Sequence, residues 1–171
     1  PPLLRHAALQ PLSREHMSGL IQARNLRRAA GGGHAERRGA VEDFVRVWRI
    51  EIREHFDDEE RLLLPLTRSP DLRRRLLDEH GRIRQMAARC EADPAAVADD
   101  AELMARLGTL LHDHIRWEER EYFEAVQRDH PEALAAMLHE AGHIESKRPG
   151  SRARNRQKSG GTNTCDEEGR P

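Results

Sequence analysis

One motif constrains the fold of this chain more than any other: a histidine and a glutamate four residues apart inside an apolar helical stripe. The stripe consists of Trp48, Ile52, His55, Glu59 and Leu62 or Leu63. Spacings of three and four mark one face of a helix that packs on a core, and residues four apart lie together on that face. A polar pair on a buried face costs free energy unless it is paired or binds a metal. The motif therefore predicts a helix that carries His55 and Glu59 into the interior.

The same arrangement returns further along the chain at His114 and Glu118. Two other predicted helices each carry one histidine on their apolar stripe. We predict that these side chains form a site for two metal ions, because imidazole and carboxylate suit first-row transition metals. The candidate ligands are His16, His55, Glu59, His80, His114 and Glu118. The alternative is a set of hydrogen-bonded core histidines without metal, which the burial of so many polar groups makes costly.

The helices follow from apolar periodicity and from breakers. The expected helices are Ser13 to about Ala30, Ala40 to Leu64, Pro70 to Cys90, Ala95 to Arg128, and a short one from Pro131 to Ile144. Short connections favour antiparallel neighbours. We therefore expect an all-α fold, an up-down-up-down four-helix bundle with a short extra C-terminal helix. The expected divisions are a lead-in at 1–12, the bundle at 13–146 and a disordered basic tail at 147–171.

Charge and composition narrow the class of protein. The net charge is -1, and the tail holds seven Lys/Arg against three Asp/Glu, so the body is mildly acidic and no nucleic-acid partner is expected. No apolar run is long enough to span a bilayer, and the start of the chain lacks the apolar region of a signal peptide. Cys90 and Cys165 do not indicate a disulfide framework. We expect a cytoplasmic protein.

The remaining histidines are expected outside the site. His112 points about 200° away from His114 around its helix. His139 and His143 are expected at the surface, and the others, His6, His34 and His130, in loops or at helix ends.

Four acidic residues each precede a candidate ligand, and they are Glu15, Glu54, Glu79 and Asp113. We expect them to be exposed to solvent. The alternative is that they form hydrogen bonds with the candidate ligands. Arg84, one turn after His80, either approaches the metals and pairs with a carboxylate or turns to solvent. Tyr122 either donates a hydrogen bond at the site or packs with its hydroxyl satisfied elsewhere.

The series His16, His55-x-x-x-Glu59, His80, His114-x-x-x-Glu118 on four successive helices resembles the hemerythrin-like, or HHE cation-binding, domain. The resemblance extends over roughly residues 9–140 and includes the stretches at 12–16, 55–66 and 118–121. It implies a non-haem di-iron centre, with the histidines as terminal ligands, the two glutamates as bridges, and an oxo bridge as a further possibility. It also implies a small diatomic ligand, O2 or NO.

Two departures from the oxygen-carrier pattern bear on function. Arg84 stands where carriers have a second histidine, and His114-x-x-x-Glu118 replaces a longer His–Asp motif. The sequence is more similar to the subgroup with a symmetric site, associated with iron handling, nitric oxide and iron–sulfur repair. Three functions remain open: a di-iron protein that binds or senses O2 or NO or handles iron, a di-iron oxidoreductase supplied by an external electron donor or partner protein, and a metal-free helical interaction module.

Overall fold

The computed structural model describes residues 4–148, and every regular element in that range is a helix. In chain order the helices are α1 (Gln10–Ala30), α2 (residues 34–62), α3 (Pro70–Ala92), α4 (Pro94–Asp99), α5 (residues 101–129), α6 (Pro131–Ala136) and α7 (Leu138–Lys147). Short 3-10 turns lie at Ala7–Leu9 and Leu64–Leu66. The long helices α1, α2, α3 and α5 form the bundle, so the expectation of an all-α four-helix bundle is confirmed.

Both helices that carry a His–Glu pair contain a π-helical turn. Helix α2 is composed of His34–Val47, the π turn Trp48–Ile52 and Arg53–Leu62. Helix α5 is composed of Ala101–Trp117, the π turn Glu118–Tyr122 and Phe123–Asp129. A π turn holds one extra residue and therefore rotates the face that follows it, and such turns are frequent at functional sites.

Helix starts differ from the sequence-based expectation where the cap is not the expected one. Ser69 caps α3 as predicted, with its Oγ accepting from the backbone N–H of Leu72. Asp93 begins only the six-residue α4, and α5 begins after Asp100, whose carboxylate accepts from the N–H of Leu103 at 2.9 Å. Helix α1 begins at Gln10 and not at Ser13, and Pro11 lies in its first turn, where proline is tolerated. Helix α2 begins directly after Gly33, earlier than the expected start at Ala40.

The core consists of two apolar clusters with the polar candidate site between them. One cluster fills the end of the bundle where α1 ends and α2 begins, and it includes Leu26, Phe44, Trp48, Phe56, Ile83 and Leu111. The other includes Leu9, Leu12, Leu63, Leu76, Tyr122, Phe123 and Leu134. Along α1, for example, Leu12 belongs to the second cluster, Ala23 to the first, and His16 lies between them. The two clusters therefore shield the site at both ends.

The segments outside the bundle pack onto it. Helix α7 contacts α1, and the N-terminal 3-10 turn contacts α7. Lys147, the first residue of the predicted tail, ends α7, and the next residue, Arg148, is buried. The rest of the predicted tail, 149–171, lies outside the described residues.

Candidate metal centre

The structure brings the six candidate residues together in the middle of the bundle. Two groups of four side chains each present one ligand atom per residue within 4.8 Å of one another. We call His16, His55, Glu59 and Glu118 the first half-site, and Glu59, His80, His114 and Glu118 the second half-site. All six side chains are buried, and four of them are fully inaccessible.

Glu59 divides its two carboxylate oxygens between the half-sites. In the first half-site its Oε1 lies 3.3 Å from Nε2 of His55 and 3.7 Å from Nε2 of His16. In the second, its Oε2 lies 3.4 Å from Nε2 of His80. Glu59 therefore has the geometry of a bridging carboxylate.

Glu118 does the same from α5. Its Oε2 lies 3.1 Å from Nε2 of His16, and its Oε1 lies 3.0 Å from Nε2 of His114 and 3.6 Å from Nε2 of His80. Neighbouring ligand atoms around a metal with bonds of about 2.0–2.2 Å are roughly 3.0–3.6 Å apart. These separations therefore fit two metal positions that share both glutamates.

The inward-facing atoms have no other partner. Within residues 4–148, the Nε2 atoms of all four histidines and all four oxygens of Glu59 and Glu118 are buried without a hydrogen bond. Buried polar atoms are nearly always satisfied, and leaving eight of them unpaired is expensive. The donors are nitrogen and oxygen with no thiolate, a set that suits iron, manganese or zinc better than a copper–thiolate centre. The residues therefore fit a pair of cations.

A second layer of carboxylates holds the outer nitrogen of each histidine. The Nδ1–H groups donate from His16 to Glu119 at 2.6 Å, from His55 to Glu15 at 2.8 Å, from His80 to Glu60 at 2.7 Å and from His114 to Glu79 at 2.8 Å. We call Glu15, Glu60, Glu79 and Glu119 the outer carboxylates. Such partners fix the ring orientation and leave Nε2 available to a metal.

Each outer carboxylate is adjacent in sequence to a site residue but serves a histidine on another helix. Glu15 precedes His16 on α1 and contacts His55 on α2. The expectation of a solvated position is therefore wrong for Glu15 and Glu79. It is correct for Glu54 and Asp113, which are exposed.

The charges of the site stabilise protonated histidines when no metal is bound. Burial alone lowers the pKa of both His55 and His80. For His55, the carboxylates of Glu59 and Glu15 outweigh burial and raise the pKa to about 9. For His80, the carboxylates of Glu118, Glu59 and Glu60 raise it to about 10. Burial raises the pKa of Glu118, and the facing histidines outweigh this and lower it well below its usual value.

Arg84 and Tyr122 both have their polar groups satisfied away from the half-sites. Arg84 donates to Glu60 at 2.6 Å and to Asp57 at 2.9 Å, so it pairs with a carboxylate behind His80. Tyr122 is buried, and its hydroxyl lies 2.8 Å from Oγ1 of Thr67. Since Thr67 donates its one hydroxyl proton to the backbone carbonyl of Leu63, Tyr122 is the donor in that pair and its proton is engaged there.

The other histidines lie outside the site, as predicted. His139, His143 and His34 are exposed, and His112 pairs with Asp113 at 2.8 Å. His6 caps the first turn through its Nδ1, which accepts from the N–H of Ala8.

A small cavity lies beside the first half-site. It measures about 10 Å³, close to the space of one water molecule. Its walls are Glu15, His16, Gly19, Glu51, Ile52, His55, Phe56, Leu111 and Ile115. Glu51 is only 8% exposed, and in the described part of the chain its Oε2 has no hydrogen-bond partner. Glu51 was not among the residues predicted from the sequence, although it lies one turn before His55 on the same face.

A family model described as the Hemerythrin HHE cation binding domain matches residues 7–126. This chain belongs to that family. The searches of curated proteins and of solved structures found no match to this chain. The hemerythrin family is described by cation binding, and the two half-sites are groups of His and Glu that can hold a cation. Across residues 4–148, no helix has the length and apolar character required to cross a bilayer.

Proposed function

We propose that this chain is a non-haem di-iron protein of the cytoplasm that binds or senses O2 or NO, or handles iron. His16 and His55 would hold one iron, His80 and His114 would hold the other, and Glu59 and Glu118 would contribute to both. The observation that carries the proposal is the convergence of eight buried, unpaired donor atoms on two positions that share these two glutamates.

An iron pair bound here supplies open coordination positions and one-electron redox chemistry. The protein provides the surroundings. Its apolar clusters exclude water from both ends of the site, and its outer carboxylates fix the four imidazole rings. The cavity beside His16 and His55 has about the volume of one water molecule, and the unpartnered carboxylate oxygen of Glu51 lies at its wall.

Glu51 also favours a second candidate function, reduction of O2, NO or peroxide with electrons from an external donor. A buried carboxylate at the ligand cavity is placed to deliver a proton, whereas Tyr122 is not, because its proton is given to Thr67. Steady turnover with a chemical reductant, lowered in Glu51→Gln while ligand affinity changes less, supports the enzyme. Ligand binding without turnover supports a binding or sensing protein.

The metal-free interaction module is the least favoured of the three functions. It leaves four imidazole nitrogens and four carboxylate oxygens buried with only one another to face, and no other group within the described residues forms a hydrogen bond with them. Such a site is costly to maintain unless a cation occupies it.

The test is anaerobic loading with Fe2+, followed by metal analysis and optical spectra before and after addition of O2 or NO. Wild type is expected to bind about two irons per chain and to change its near-ultraviolet and visible absorption with either gas. Glu59→Ala, Glu118→Ala should bind none tightly. The matched control is Asp113→Ala, Glu121→Ala, which removes two exposed acids of α5 and should load like wild type. Equal, low iron content in all three proteins rejects the di-iron proposal.

A further inference from the structure

Each outer carboxylate also pairs with an arginine. Each of the four histidines of the half-sites therefore belongs to a chain of contacts from histidine to glutamate to arginine. Arg148 pairs with Glu15 and Arg5 with Glu119, which gives the first half-site two such chains. In the second half-site, Arg84 pairs with Glu60 at 2.6 Å and Arg75 with Glu79 at 2.8 Å. The four chains are therefore alike in chemistry.

The arginines differ in where they come from. Arg75 and Arg84 both belong to α3, a helix of the bundle. Arg5 lies before the first turn, and Arg148 follows α7. Both lie outside residues 7–126, the range that matches the family. The arginines of the first half-site thus come from two segments that are not part of the bundle, and those of the second come from the bundle itself.

The two terminal arginines are also the more buried. The side chains of Arg5 and Arg148 are 9% and 8% exposed, whereas those of Arg75 and Arg84 are 43% and 31% exposed. Exposed ion pairs are screened by water and contribute little. A charge-assisted pair with a buried arginine is stronger, and removal of one partner leaves the other buried without compensation.

Arg148 connects two helices of the first half-site. It donates through Nη2 to Oε2 of Glu15 on α1 at 3.1 Å, and its Nη1 lies 2.7 Å from Oδ2 of Asp58 on α2. Glu15 in turn accepts from Nδ1 of His55. Arg148 therefore fixes the carboxylate that orients His55.

Arg5 does the same for His16 from the other terminal segment. It donates to the carboxylate of Glu119 at 2.8 Å and to the backbone carbonyl of Glu119 at 2.7 Å. Its guanidinium also lies 5.2 Å from the ring centre of Phe123, and that ring stacks on His16 at 5.3 Å. His16 is thus held by Arg5 on its edge through Glu119 and on its face through Phe123.

We propose that Arg5 and Arg148 form a terminal clamp that positions His16 and His55, so that metal affinity at the first half-site, but not at the second, depends on the two segments outside the bundle. The inference rests on the proposed metal function. It makes the two metal positions inequivalent, although their ligands are the same. Loss of the contacts of Arg5 and Arg148 is expected to weaken the metal held by His16 and His55 and to leave the other in place.

The test measures Co2+ affinity by visible absorption in proteins with one half-site disabled. His114→Ala leaves the first half-site, and His55→Ala leaves the second. Arg148→Gln is introduced into each background, and Arg84→Gln is the matched control, since it removes the equivalent arginine behind His80. Loss of a carboxylate that contacts a ligating histidine typically weakens metal binding about 10–100-fold, and loss of the arginine behind that carboxylate is expected at the lower end of this range.

If Arg148 positions His55, Arg148→Gln weakens Co2+ binding about 10-fold in the His114→Ala protein. In the His55→Ala protein it changes the affinity less than about twofold. Arg84→Gln weakens Co2+ binding only in the His55→Ala protein, and by a smaller factor, because the side chain of Arg84 is 31% exposed and its ion pair is screened by water. Circular dichroism melting of the metal-free proteins distinguishes a positioning role from a purely structural one. A purely structural role of Arg148 would lower the melting temperature and the Co2+ affinity equally in the two backgrounds. Arg148→Lys keeps the charge but cannot contact Glu15 and Asp58 together, so it should show a reduced form of the same pattern.

Equal weakening in the two backgrounds, or none in the first half-site, overturns the clamp while leaving the proposed function intact. Failure of wild type to bind Co2+ or Fe2+ at all rejects the proposed function instead.

Discussion

The carboxylate of Glu79 lies 2.8 Å from Nδ1 of His114, and it reaches that ring from the neighbouring helix α3. Glu79 follows Asp78, which is exposed, so two adjacent acids on α3 have opposite surroundings. The contact predicts that Glu79 acts on metal binding although it is not a ligand.

Glu79→Gln should weaken metal binding at the second half-site about 10–100-fold, because the amide accepts a weaker hydrogen bond and carries no charge to orient the imidazole. The control is Asp78→Asn, which changes the net charge by the same amount at an exposed position and should leave affinity unchanged. Competition with a coloured chelator measures both. Equal affinity losses in the two variants would mean that net charge, and not the contact with His114, is responsible.

The pKa shifts of the buried histidines predict opposite pH dependences for the metal-free and metal-bound forms. The pKa values of His55 and His80 are raised from 6.5 to about 9 and about 10. A raised folded-state pKa contributes stability that is complete below the unfolded value and is lost as pH rises through the folded value. The melting temperature of metal-free protein should therefore fall between about pH 6.5 and 10.

A metal requires neutral imidazole, so its affinity should rise over the same interval and fall in acid. Melting curves with and without Co2+ between pH 6 and 9 should diverge as pH increases. A metal-free melting temperature that stays constant or rises with pH contradicts the charge state inferred for His55 and His80.

Cys90 is fully buried in the core, and burial raises the pKa of its thiol to about 11. Only the thiolate is reactive, so Cys90 should not react with a thiol reagent in the native protein. Cys165→Ser isolates Cys90 for the experiment. We expect no modification over hours in buffer and complete modification in denaturant, and rapid modification of native protein contradicts the packing around Cys90.

Gly108 marks a close approach of α5 to α1. A Cβ at this position would lie 2.7 Å from the backbone carbonyl oxygen of Ala23 and 2.8 Å from Cγ of Arg27. Gly108→Ala should therefore cost about 1–3 kcal/mol of unfolding free energy, since the helix backbone has to shift. Gly39→Ala is the control, because nothing lies within 4 Å of its Cβ, and it should stabilise α2 by roughly 0.5–1 kcal/mol. Urea unfolding of the metal-free proteins measures both, and a Gly108→Ala protein as stable as wild type contradicts this packing.

Apolar periodicity predicted the bundle and all six residues that the structure places together, since a polar residue on a buried stripe is visible in sequence. It did not reveal Glu60 and Glu119 as outer carboxylates, and it kept support of the ligands by Glu15 and Glu79 only as the alternative to solvated positions. Glu60 and Glu119 follow Glu59 and Glu118 directly, and periodicity assigns them to another face of their own helices without showing which neighbouring helix that face meets. The doublets Glu59-Glu60 and Glu118-Glu119 were the available signal.

The positions of Arg5 and Arg148 could not be predicted from the sequence. Arg148 falls in a region whose composition indicates a tail, and its burial depends on where α7 packs, which local sequence does not determine. The start of α5 was also missed, because Pro94 and Asp100 are both good helix starters, and only the packed structure shows that the chain uses each of them in turn.

The most direct test of the central claim is a crystal structure of iron-loaded protein with anomalous diffraction measured at the iron edge. The account predicts two anomalous peaks per chain, about 3.5–4 Å apart, one between Nε2 of His16 and His55 and the other between Nε2 of His80 and His114, with Glu59 and Glu118 spanning both. A single peak, peaks at surface histidines such as His139 and His143, or no peak in protein that contains iron would contradict it.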